Sequence, residues 1–204
     1  MSAAVEIAVV ADDLGICAER DKGIFECMRE GAVTATVVVP NGLSASSACK
    51  TAIRLGLTDR VGLHLNISQG VPLSPWQNVE SLLHHDAESK SRVFCGIQEL
   101  QKRRAAGALD FEHIAHEFRQ QLLWFREQFK HFPRFVNGHQ HCHIFFASRE
   151  VARLFRDCGV QYIRNTQEKF EGNNDAVPPL CPRCSVVSAL GRKAMDIYKV
   201  RSFR

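Results

Sequence analysis

Short, nearly continuous apolar runs alternate along this chain with longer stretches in which apolar residues recur every three or four positions. Val5 to Ala11 (VEIAVVA) stops at Asp12-Asp13, which predicts a strand buried on both faces of a parallel sheet. Glu19 to Gly31 then places Ile24, Cys27 and Met28 at helical spacing and ends on a glycine suited to a helix terminus. Ala35 to Val39 (ATVVV) predicts a second strand, closed by Pro40-Asn41-Gly42. Ser46 to Leu57 reads as a second helix and Val61 to Ile67 (VGLHLNI) as a third strand.

Ser68 to Gly107 breaks this rhythm with Gly70, Pro72, Pro75 and no sustained period, so a long irregular excursion is expected. Periodicity returns in Phe111 to Phe129, where Ile114, Phe118, Leu122, Phe125 and Phe129 mark one face of an amphipathic helix. Phe135-Val136-Asn137 enters a fourth strand, Val151 to Cys158 a short helix, and Val160 to Ile163 a further strand. Cys184 to Val187 is a weaker strand candidate. Alternating strands and helices predict an α/β fold with a parallel sheet, open or rolled into a barrel.

Composition narrows this picture. At 204 residues and 45% apolar content the chain suits one domain. No stretch approaches the ~20 consecutive apolar residues of a membrane-spanning helix, and the opening run meets two aspartates before signal-peptide length. The eight cysteines are scattered in the manner of reduced thiols, which points to the cytoplasm or nucleus. Cys181 and Cys184 form only half of a zinc-knuckle pattern. The net charge of +4 is carried by the last thirteen residues, where five cations face Asp196 alone. A nearly neutral body (1–177) followed by a basic tail (178–204) excludes an extended nucleic-acid-binding face.

The unusual polar residues fall at predicted strand ends, where parallel α/β folds keep their ligand crevice. Asp12-Asp13 ends the first strand, Asn41 follows the second, His64 interrupts the third, and His139, His141 and His143 follow the fourth. Of two adjacent carboxylates, one can ligate a cation while the other takes a proton from water; the ordinary alternative is an acidic helix N-terminus. His64, between Leu63 and Leu65, is a buried polar group that needs a partner. Three alternate histidines on an extended chain would share one face. One aspartate and two histidines make a mixed site suited to zinc, cobalt, manganese or, less naturally, magnesium. Trp76 and Asn41 are candidate sugar contacts, Trp76 by stacking, although a structural tryptophan is the more ordinary reading.

The order of Ala-Asp-Asp-Leu-Gly (11–15), Gly-Ala-Val-Thr-Ala-Thr (31–36), Gly-Leu-His-Leu-Asn (62–66), Gly-Val-Pro-Leu (70–73) and His-Gln-His-Cys-His (139–143) resembles the YdjC-like carbohydrate deacetylases. The resemblance implies a deformed or incomplete (β/α) barrel. It makes Asp12 the general base, Asp13, His64 and His139 the ligands of one divalent ion, and magnesium that ion. The expected substrate is a small N-acetylated amino-sugar oligosaccharide, with Asn41, Trp76, His141 and His143 on the substrate side and a homodimer as the allowed assembly. Rival readings are another metal-dependent amide or ester hydrolase and a catalytically silent metal-binding protein. Two departures stand out. Asn137-Gly138 replace the family's usual Asp-Ser, which should remove a carboxylate contact to a ligand histidine, and the chain lacks the family's late His-Pro-Gly, as expected of a C-terminally shortened form.

Overall fold

A computed structural model describes residues 7–84, 92–166, 182–198 and 201–203. Six strands, β1 (Val10–Leu14), β2 (Ala35–Val38), β3 (Val61–Leu65), β4 (Phe135–Gly138), β5 (Tyr162–Arg164) and β6 (Arg201–Phe203), form one sheet in sequential order. Every neighbouring pair is parallel. Parallel neighbours need crossovers, and helices supply them: α1 (Ala18–Arg29), α2 (Ala45–Arg54), α3 (Ile97–Ala105), α4 (Phe111–Phe129), α5 (Cys142–Phe145), α6 (Arg149–Asp157) and α7 (Pro182–Tyr198). This is the expected α/β fold with parallel strands, and consecutive strand order is the order of a β/α barrel wall. Among the described residues β1 and β6 are not paired with each other.

The core lies between the sheet and its helices. Leu63, Leu65, Val136 and Ile163 are fully buried from the sheet, and α4 returns Ile114, Phe118, Leu122 and Phe125 against them. Each such side chain contributes roughly 1.5–3 kcal/mol of burial. Asp110 caps α4 by accepting from the Glu112 N–H at 2.9 Å, satisfying one of the helix's orphan donors.

Four expectations need correction. The first strand begins at Val10 and carries both aspartates; Ile7 and Val9 are exposed, because β1 ends the strand order and has a neighbour on one side only. The excursion after β3 contains α3, whose mostly polar sequence (IQELQKRRA) hid its period. Cys184 to Val187 is not a strand but part of α7. Where a basic tail was expected, α7 and β6 form a further helix-strand unit, with Tyr198 buried and β6 paired to β5. Cys181 lies outside the described residues.

Candidate metal centre and catalytic carboxylate

Two consecutive strand residues normally point to opposite faces. Here the β1–β2 register slips between Ala11 and Leu14, and Asp13 takes a left-handed backbone at φ 67°. This irregularity turns the two carboxylates toward neighbouring positions at the carboxyl end of the sheet. Thr36 Oγ1 donates to the Ala11 carbonyl at 2.8 Å, and Gly15 completes the turn at φ 90° with its α-carbon so close to α2 that a β-carbon would lie 2.8 Å from Ala45 Cα. Asp21 fixes the same turn from α1, accepting from Gly15 N and Ser44 Oγ at 2.6 Å each.

Around Asp13 the predicted ligand set assembles. His139 Nδ1 stands 2.9 Å and His64 Nε2 3.2 Å from the same oxygen, Asp13 Oδ1, while Arg20 donates to Oδ2 at 2.7 Å. The two imidazoles meet edge to face with centroids 5.4 Å apart. Hydrogen bonds from His139 first and His64 second hold the Asp13 carboxyl well below the usual carboxylate range. One donor atom from each residue falls within 4.8 Å of the others. One oxygen and two imidazole nitrogens, contributed by β1, β3 and the turn after β4, therefore fit a divalent cation. The second nitrogens differ. His139 Nε2 lies 3.0 Å from Gln69 Oε1, whereas His64 Nδ1 is buried with no hydrogen-bond partner among the described residues.

Asp12 is held apart from this cluster. Its Oδ1 accepts from Asn137 Nδ2 at 2.8 Å and its Oδ2 from Arg164 at 2.7 Å. Asn137 thus turns to the other aspartate and not to a ligand histidine. Arg164 was missed from sequence, although it stands at the end of β5 and the strand-end rule that singled out His64 would have found it.

The histidine cluster is not extended. Gln140 (φ 51°) and His141 (φ 61°) are both left-handed and His139 to His141 form a tight turn into α5, so the alternation argument fails and the three imidazoles separate. His141 is half-buried in the turn. His143 is fully buried, with Nε2 3.0 Å from the Arg164 carbonyl, and burial pushes its pKa down to about 3. It is neutral near pH 7 and out of a substrate's reach, which corrects its placement on the substrate side.

Asn41 also has a structural role, since its amide donates to the Gln69 and Val71 carbonyls at 2.9 and 3.0 Å and its oxygen accepts from Asn66 at 2.9 Å. Trp76 is half-exposed, with the Arg92 guanidinium 3.2 Å over its ring. The loop between them is pinned from below by two buried α4 residues. Glu117 accepts from the Leu73, Ser74 and Gln121 N–H groups, and Gln121 both accepts from Asn66 N and donates to Asn66 O. Two polar residues four apart on an apolar helix face were the signal. A separate cleft of about 610 Å³ between α1 and α2, lined by Lys22, Phe25, Thr51 and Arg60, shares no residue with the triad. Among the described residues no helix is long and apolar enough to cross a membrane.

The chain is similar to several known proteins. A carbohydrate deacetylase of Mus musculus is 35% identical over 171 residues, 83% of this chain and 53% of that protein. A chitooligosaccharide deacetylase of Klebsiella pneumoniae is 32% identical over 158 residues, 76% of this chain and 57% of that protein. The chain spans about half the length of these relatives. A crystal structure from Enterococcus faecalis, of a protein named for cellobiose-phosphate cleavage, superposes with a TM-score of 0.69 over 96% of this chain and 65% of that one, at 19% identity. Residues 6–201 match the family model described as YdjC-like protein, and with the sequential parallel sheet and the motifs at its carboxyl ends, this chain belongs to the YdjC-like family.

Proposed function

We propose that this domain is a divalent-metal-dependent hydrolase that removes acetyl groups from N-acetylated amino-sugar oligosaccharides. The observation that carries the reading is the division of labour between adjacent carboxylates: Asp13 is bound into a cluster with His64 and His139, and Asp12 is excluded from it by Asn137 and Arg164. The names of the mouse and Klebsiella relatives support the acetyl-sugar substrate.

Asp13, His64 and His139 would hold the ion. When bound, a divalent cation supplies positive charge that polarises an acetamide carbonyl and makes water more acidic. The donor set suits zinc, cobalt or manganese, while magnesium rests on the family resemblance alone. Asp12 acts as general base toward the attacking water, its carboxylate held by the Asn137 amide and the Arg164 guanidinium. The departing amine needs a proton; of the two histidines in the cluster that could donate it, the burial of His143 leaves His141. The Asn41-pinned loop carries Gln69 to His139, so Asn41 orders the site's rim.

The test is acetate release from short N-acetylglucosamine oligomers by the chain dialysed against chelator and reloaded with each metal in turn. Turnover that appears on reloading and vanishes in Asp12→Asn supports the reading. Hydrolysis of simple esters with no acetate from the sugars would replace the substrate class, and no turnover with bound metal would leave a silent metal-binding domain.

A further inference from the structure

The buried His143 is unexplained by the deacetylase reading, and its surroundings connect it to the base. Its Nε2 stands 3.0 Å from the backbone carbonyl of Arg164, an acceptor, so the proton of the neutral ring sits on Nε2. Arg164 is the last residue of β5, and its guanidinium donates to Asp12 at 2.7 Å. From the other side Tyr198, at the end of α7, donates its hydroxyl to the His143 carbonyl and packs its ring 5.3 Å from that of Phe155. His143, Tyr198 and Phe155 are all fully buried. The seat is also close: a β-carbon built at position 138 would collide with His143 Nδ1, so the ring packs directly against the Gly138 backbone.

We propose that His143 is a positioning residue that aims Arg164 at Asp12. The N–H of its ring anchors the carboxyl end of β5 through the Arg164 carbonyl, Tyr198 holds the short helix that carries it, and the anchored strand end presents the guanidinium to the carboxylate. The segment from α7 to β6 therefore has a share in the site it does not line: α7 supplies Tyr198, and β6 pairs with β5 up to Arg164 opposite Phe203. An exposed arginine in free rotation would sample many directions, whereas a fixed strand end limits it to a few rotamers.

The kinetic part rests on the deacetylase reading; the structural part does not, and the experiment separates them. In the metal-free full chain labelled with ¹⁵N-arginine, the Arg164 guanidinium, assigned by its loss in Arg164→Lys, should show slowed rotation from its pairing with Asp12. That signature should disappear in Asp12→Asn and His143→Leu, weaken in Tyr198→Phe, and persist in His143→Gln, whose amide keeps a donor near the Nε2 position. With metal and N-acetylated oligomer, Arg164→Ala should lose about a hundredfold in kcat and His143→Leu about tenfold, with KM and bound metal unchanged, and His143→Gln should recover most of the loss. Tyr198→Phe keeps the ring and so retains the test if His143→Leu does not fold. Slowed rotation that survives both His143→Leu and Tyr198→Phe, or is absent from the wild type, overturns the proposal whatever the activity. The expected spectra with no acetate release from any variant would instead support the positioning and discard the deacetylase reading.

Discussion

Asp13 holds a backbone conformation that costs a non-glycine residue about 1–2 kcal/mol, and its carboxylate accepts from three side chains in return. That trade is coherent if the position exists for its oxygen atoms. Asp13→Ala, His64→Ala and His139→Ala should each abolish stoichiometric metal, while Asp12→Asn should keep it and lose activity, as elemental analysis and acetate release on the same preparations would check. Metal lost from Asp12→Asn and kept by Asp13→Ala would reverse the two roles. These four residues were legible in sequence because strand ends converge in parallel folds. His143 was not, since its expected partnership assumed an extended backbone and two successive left-handed residues intervene. Its burial also makes stability depend on pH. The folded state holds His143 down to about 3 against 6.5 for the free side chain, so between those values the unfolded chain binds a proton that the folded chain refuses. Stability should therefore fall as pH drops below about 6.5, by at most about 1.4 kcal/mol per pH unit from this group. Urea denaturation of metal-free protein between about pH 7 and pH 5 should show that slope, flattened in His143→Gln.

Elements differ in how openly the sequence announced them. α4 was read to the residue because its five apolar positions follow the helical period without interruption, whereas α3 buries only Leu100 among its nine residues and so left almost no period to detect. What periodicity could not show is that α4 also does polar work. Glu117 is fully buried and accepts from two loop N–H groups, so Glu117→Ala would strand both donors at about 1–3 kcal/mol each. We expect that loss in denaturant melts, together with faster proteolysis of the 66–74 loop; unchanged cleavage would mean that Asn41 and Gln121 suffice to hold it. Substitution at the far end of α4 should act in the opposite sense. Lys130 ends the helix at φ 67°, a conformation glycine adopts freely, so Lys130→Gly should stabilise the fold by up to about 1 kcal/mol in the same measurement.

At the scale of the whole molecule, the candidate ligands come from β1, β3 and the turn after β4, segments far apart in sequence and joined only in the folded sheet. An ion that binds there and not to the unfolded chain should stabilise the fold by about 2.7 kcal/mol at a hundredfold excess over its Kd, and chelator should reverse the shift. Thermal melts of the wild type and Asp13→Ala, with and without metal, decide this; equal shifts in both would place the ion elsewhere. The sequential parallel order has a further consequence. The candidate ligands Asp13, His64 and His139, together with Asp12 and Arg164, lie at the carboxyl ends of the strands, while the turns entering the amino ends of β2 to β5 (30–34, 55–60, 130–134, 158–161) hold none of them. Asp59 and Arg134, exposed on two of those turns, are thus places where the molecule could be tethered to a support or given a fluorescent label, leaving the opposite rim open to solution.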